Sequence, residues 1–216
     1  MPEQPIPIYR MPLGAQFLWA MAWKRRPIYL SSALASIVTA ILLENTYGLL
    51  AGLVPLILLY KAVAHVNATG PSLIQHAKEL TLRAGSQRVG ITSENVAAFC
   101  LATPSGEAPI GISISPEYSL SCVYVTPEYF SLFQGSHVSL PENTIMPAVG
   151  GEEIYFRHVT AVTHTENGIH VTVGRGQAVK TIFTGSDPQA GSLIDQLRGH
   201  LRKPSPATST ADLPYP

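Results

Sequence analysis

The side chains of this 216-residue chain that could bind a metal or move a proton include seven histidines, two cysteines and one pair of adjacent glutamates. The histidines stand at 65, 76, 137, 158, 164, 170 and 200. None falls in an H-x-x-x-H or H-E-x-x-H pattern, and Cys100 and Cys122 make no C-x-x-C, so the spacing offers neither a zinc site nor a redox motif. Glu152-Glu153 has the composition of an acid/base pair, yet neighbours on a strand point to opposite faces and could not share a substrate. Gly174-Arg175-Gly176 lacks the Lys-Ser/Thr of a phosphate loop, and no G-x-S-x-G frames a serine nucleophile. Cys100 and Cys122 sit in strand-like sequence, where a free thiol packs as a small hydrophobe. The expectation is a chain without catalytic, cofactor or metal site and with no small-molecule substrate.

Composition narrows the classes further. Apolar residues make up 46% and charged residues only 13%, which excludes a disordered chain. Fourteen Lys+Arg balance fourteen Asp+Glu, so the basic excess of a general nucleic-acid binder is missing. Two cysteines cannot build a disulfide framework and read as intracellular thiols.

The elements that must position any site divide the chain unevenly. Residues 27–43, PIYLSSALASIVTAILL, carry no charge over 17 residues, and YGLLAGLVPLILLY (47–60) continues through KAVAHV to Val66. Helices of 17 to 20 residues cover roughly 26–30 Å, the thickness of a bilayer's hydrocarbon core. Glu44-Asn45-Thr46 allows only a tight connection, so residues 27–66 read as a transmembrane helical hairpin. The competing reading, two buried helices of a soluble protein, fits the segment lengths less well. A cleaved signal peptide is disfavoured because LLENTYG offers no small-x-small site and a second apolar run follows. Lys24, Arg25 and Arg26 precede the first span, Lys61, Lys78, Arg83 and Arg88 follow the second, and the loop between carries only Glu44. The positive-inside rule then places both termini in the cytoplasm.

Ser32, Ser36 and Ala40 recur every four residues on the first span, as Gly48 and Gly52 do on the second. Small residues at that spacing let backbones approach, either closing the hairpin on itself or mating with another subunit. Pro55 should bend the second span. Upstream, four prolines make residues 1–12 extended. From Leu13 to Arg26 the sequence reads as an interfacial helix, with Trp19 and Trp23 at the headgroup layer beside Lys24, Arg25 and Arg26. The alternative is a cytoplasmic extension of the first span.

After Gly70-Pro71 the composition changes to short Val/Ile/Thr/aromatic runs broken by Gly, Pro and Asn, which are strand signals. Strands are expected at 79–84, 88–92, 96–102, 110–115, 119–126, 129–134, 153–164, 169–175 and 178–184, after a short helix beginning near residue 72. Asn167-Gly168 suits a type I′ hairpin turn. In that hairpin Val162, His164, Val171 and Val173 share one face, while Thr163, Thr165, His170 and Thr172 take the other. His164 and His170 therefore cannot ligate together. Residues 187–203 form a final amphipathic helix, capped by Ser186 or Asp187, with Leu193, Ile194, Leu197 and Leu201 as its stripe. Residues 204–216 read as a disordered tail, and SLPENTIMPAVGG (139–151) as an exposed loop.

A run of antiparallel strands closed by one amphipathic helix is the order of a pleckstrin-homology-like (PH-like) barrel. VYVTPEYFSLFQG (123–135) and EEIYFRHVTAV (152–162), followed by IHVTV, a Thr/Phe strand and the helix, resemble bacterial PH-like domains over residues 120–203. Residues 85–118 hold more strand-like sequence than one such barrel accommodates. The family has no catalytic signature. The resemblance implies binding or assembly work beside a membrane hairpin. The fold class expected is an α+β membrane protein, divided as 1–26, hairpin 27–66, cytoplasmic PH-like domain 71–203 and tail 204–216. Two roles follow: an interaction module at a bacterial inner membrane that contacts lipids and holds a protein partner, or a structural subunit, self-associated or part of a secretion or conjugation apparatus.

Overall fold

A computed structural model describes residues 5–44, 46–89, 96–148, 150–166, 168–174 and 178–202. The apolar N-terminal third folds into helices of very unequal length. Residues Leu13–Trp23 form α1, Arg26–Leu42 form α2 and Thr46–Val89 form α3, a single 44-residue helix. At 1.5 Å per residue α3 is about 66 Å long. Among the described residues it is the one helix long and apolar enough to cross a membrane, while α2 is apolar but shorter. The boundary expected near residues 66–71 falls inside α3, which continues through Gly70 and Pro71.

The two ends of α3 solve different burial problems. Leu49, Leu50, Leu53, Val54, Ile57 and Tyr60 are exposed, so this end is greasy on its outside. From Leu59 onward the buried residues fall at Ala62, Val66, Leu73, Ala77 and Thr81, steps of three, four and seven that make one helical stripe. That stripe packs on a sheet, which is why residues 79–84, with their strand-like composition, are helical: tertiary burial overrides a weak local preference. Residues 88 and 89 of the next expected strand are also helical, and 90–92 lie outside the described residues.

Helices α1 and α2 run antiparallel to α3, one after the other. Pro12 and Ala15 share a groove with Thr69, Ser72 and His76, whereas Ala40 of α2 meets Gly48 near the other end. The α1 helix extends the line of α2 and packs against the domain, with Met21 and Ala22 fully buried.

Two antiparallel sheets follow. The first has the order β1-β5-β4-β3-β2, built from β1 (Ile6–Pro7), β2 (Ala97–Pro104), β3 (Glu117–Val125), β4 (Tyr129–Ser139) and β5 (Thr144–Met146), and β6 (Glu152–Tyr155) also pairs with β4. The second is the meander β7 (Val159–Thr165), β8 (Gly168–Val173) and β9 (Ala178–Phe183), followed by α4 (Gln189–Arg202). The chain is α+β, with antiparallel sheets and a C-terminal helix. On one face of the first sheet Cys100, Leu120, Cys122, Tyr124, Val138 and Ile145 meet α1 and α3. On the other, Leu101, Val123, Phe130, Leu132 and Ile154 meet the second sheet and Leu193, Ile194 and Leu197 of α4. Covered on both sides, β3 is buried almost continuously.

Several boundaries differ from expectation. Residues 110–115 form a loop: Ile112 and Ile114 alternate as in a strand but pack on α3 without a ladder partner. Residues 139–151 contain β5, and Leu140, Ile145 and Ala148 are buried, so they are no exposed loop. The stretch 153–164 is broken by a 3-10 turn at Phe156–His158, where the chain leaves one sheet for the other. The β7–β8 hairpin pairs Val162 with Val171 and Thr165 with Gly168, two residues from the register implied by Asn167-Gly168 at the turn centre. A two-residue slip preserves the faces, so the predicted division of side chains stands. Asn167, Arg175, Gly176 and the tail 204–216 lie outside the described residues.

Candidate functional site

The seam between α2 and α3 uses most of the small residues singled out above. A Cβ on Gly48 would stand 2.7 Å from that of Ala40, and one on Gly52 would stand 2.7 Å from Ile37 Cγ1 and 3.2 Å from the Ala33 carbonyl. Ala33 and Ala40 are buried and Ser36 is half-buried. Ser32 is exposed and its hydroxyl donates to the Tyr29 carbonyl at 3.0 Å. Ser32 is therefore corrected out of the seam: Ala33, Ile37 and Ala40, at i, i+4 and i+7, carry the contact.

At the α1–α2 junction Lys24 and Arg25 are exposed, and the half-buried Arg26 donates from its guanidinium to the Ile110 carbonyl. Trp19 is buried within the protein. It is 3% exposed, and its indole Nε1–H donates to the Leu140 carbonyl at 2.6 Å, locking α1 to the end of β4. Trp23 is half-buried with its ring centroid 6.2 Å from that of Trp19.

Where α3 crosses the first sheet, the structure brings together residues that spacing alone could not. Lys78 and Asp187, 109 positions apart, form an ion pair with side chains only 9% and 2% exposed. Asp187 Oδ2 also accepts from the Ala102 N–H at 2.9 Å, and Oδ1 accepts from the Gln189 N–H at 3.0 Å, making Asp187 the cap of α4. Gln189 Oε1 accepts from the Cys100 N–H at 3.4 Å. The outer N–H groups of β2 at 100 and 102, on the edge of the sheet, are thus satisfied by the start of α4. The pair borders a cleft of about 480 Å³ that Ser115, Tyr118 and Ser186 also line. Asp187 was legible as a cap. Lys78 read only as one more cytoplasmic charge, although a lysine beside Ala77 in the apolar stripe is a signal that it needs a buried partner.

Cys100 and Cys122 are opposite each other on β2 and β3, with sulfurs 3.0 Å apart. The bond from Cys122 and then burial push the Cys100 thiol well above its ordinary range, so it stays protonated. Burial likewise raises Tyr118 and Tyr124; the Tyr124 hydroxyl donates to the Leu82 carbonyl of α3 at 2.6 Å. His164 lies opposite Ile169 and His170 opposite Thr163, on the two faces expected. Among the described residues no three His, Cys, Asp or Glu side chains gather as a metal site. Chemically, this arrangement fastens a helix to a sheet and keeps its thiols inert. No family model matches the chain, and no curated protein matches it.

Proposed function

We propose that this chain is a membrane-anchored, non-catalytic interaction module, in which α2 and the first part of α3 form a two-span hairpin holding a PH-like domain at the cytoplasmic face of a bacterial inner membrane to bind a partner protein. The observation that carries the reading is the continuity of α3, one end of which has exposed leucines and the other a stripe buried under a sheet. The exposed Lys24 and Arg25 at the base of the hairpin support the cytoplasmic side. The order β3, β4, β5, β6, then β7, β8, β9, then α4 supports the PH-like resemblance. The alternative role, a structural subunit of a larger inner-membrane assembly, draws on the small-residue faces. Those faces are occupied within the hairpin itself, Gly48 against Ala40 and Gly52 against Ala33, and this favours the module.

Cysteine labelling in spheroplasts tests the placement, because both native cysteines are buried. An impermeant maleimide should label Glu44→Cys from outside and Ser186→Cys only after permeabilisation; the reverse pattern would overturn the orientation. Photo-crosslinkers at the exposed Val179 and Phe183 test the partner, with a recurrent protein adduct of one mass expected and adducts to lipid alone counting against it.

A further inference from the structure

The most exposed large apolar side chain among the described residues is Ile110, at 90%. A lone exposed isoleucine needs no explanation in general, but this one is held in place by a dense set of bonds. It tips the loop between β2 and β3. That loop is braced at its neck by the Ser115 hydroxyl, which donates to the Gly106 carbonyl at 2.8 Å, and Ile112 and Ile114 anchor it in the core. At the tip, Arg26 donates to the Ile110 carbonyl, Asn67 Nδ2 donates to the Gly111 carbonyl at 2.9 Å, and the Ser113 N–H donates to Asn67 Oδ1 at 2.9 Å. Gly111 turns the chain with φ +83°, a conformation that a side chain would strain. The loop is strapped to both arms of the hairpin at once: to the first residue of α2 and to Asn67 of α3.

Those two straps set the height of Ile110. From Tyr47 to Asn67 the helix spans 21 residues and rises about 30 Å, the thickness of a hydrocarbon core. Arg26 starts a helix of 17 residues that ends at the same tip. The loop tip that carries Ile110 is therefore fixed at the base of the hairpin, where α2 begins directly after the exposed Lys24 and Arg25. Apolar tip and basic collar together match one surface, the acyl–headgroup boundary of a bilayer containing anionic lipid. We infer that the β2–β3 loop is a second membrane contact, inserting Ile110 into the inner leaflet and fixing the tilt of the domain on it. This rests on the membrane reading above.

The test uses the full chain in nanodiscs of phosphatidylethanolamine and phosphatidylglycerol, spin-labelled at Ile110→Cys or, separately, at Leu53→Cys on the exposed face of α3; Cys100 and Cys122 stay unreactive in the core. Both labels should lose accessibility to an aqueous nickel chelate and stay accessible to oxygen. A label at 110 that the chelate broadens as it does a side chain in water, while the one at 53 is protected, overturns the loop contact alone. A label at 53 open to the chelate overturns the membrane reading and the loop contact with it.

Discussion

Replacing Asp187 by alanine removes three interactions that meet on one carboxylate. Lys78 loses its counter-ion while still out of water, a situation that costs about 3–5 kcal/mol. Helix α4 loses its cap, worth about 1 kcal/mol. The Ala102 N–H at the sheet edge loses its acceptor, a penalty of about 1–3 kcal/mol. The first and third share Oδ2, so the contributions overlap, and the loss should total about 4–6 kcal/mol, a large share of the 5–15 kcal/mol of an ordinary domain. Asp187→Asn keeps a single carbonyl acceptor, so only one of the Ala102 and Gln189 N–H groups stays bonded, and it should cost about 3–5 kcal/mol, chiefly from the orphaned ammonium. Adding Lys78→Met removes that ammonium and should recover about 1–3 kcal/mol. Urea unfolding of the full chain in nanodiscs, followed by the fluorescence of buried Trp19, reads all three variants. An Asp187→Ala chain within about 1 kcal/mol of the parent, or a double variant no more stable than Asp187→Asn, would show that the pair is effectively solvated and does not clamp α3 to α4.

Gly85→Ala should be destabilising by about 1–3 kcal/mol, because its Cβ would strike the Tyr124 hydroxyl, and Tyr124→Phe, which removes that oxygen, should restore part of the loss in the same unfolding assay. A fragment beginning at residue 71 should fail to give dispersed amide spectra, since it lacks Trp19, Met21, Ala22, Leu59, Ala62 and Val66 of the core shared with the first sheet; a well-folded fragment would mean that α3 only leans on the domain. Stability should also fall with alkali. Tyr118, Tyr124 and Cys100 all titrate higher in the folded chain than their unfolded values of 10.0, 10.0 and 9.0, so above those pH values the unfolded state holds fewer protons and gains relative to the folded one. Thermal melts from neutral to about pH 11 should show this decline, and Tyr124→Phe should flatten it; an unchanged slope would place the hydroxyl in contact with water.

What the sequence made legible is what a repeating pattern encodes. The uncharged runs give α2 and the first part of α3, the Leu193–Leu201 stripe gives α4, and alternation along 162–173 gives the faces of the hairpin even though its pairing slips by two. What it hid depends on contacts between distant residues. Gly70-Pro71 reads as a break, yet the helix continues and Gly70 brings its backbone against Ile114. Ser113 and Ile114 read as part of a strand because their neighbours alternate, but the bonds from Asn67 and the surface of α3 hold that segment as a loop. Trp19 and Trp23 have the signature of a membrane interface, and nothing local reveals that Leu140, 121 positions away, supplies the acceptor for Trp19. Of the expected site residues, Ser36, Ala40, Gly48 and Gly52 lie along the hairpin seam. Lys78 and Asp187, which fasten the domain, were visible only separately.

The shape of α3 bears on the kind of anchor proposed above. A domain that needs only to stay near a membrane can be tethered by a flexible linker, whose composition would be rich in Gly and Ser. Here the segment leaving the hairpin is the central helix of the domain itself. It is fixed to the β2–β3 loop at Gly70, to the first sheet at Gly85 and through the bond from Tyr124, to α4 through Lys78 and Asp187, and to β4 by way of α1 and Trp19. Bending between hairpin and domain would therefore have to open a buried core instead of swinging a linker, at a cost of several kcal/mol. On the two-span reading proposed above, the β domain would keep a set height and orientation over the lipid, and any tilt of the hairpin would move the sheets as one body. A partner would then meet the domain at a fixed distance from the membrane, which suits a binding surface whose ligand is itself held there.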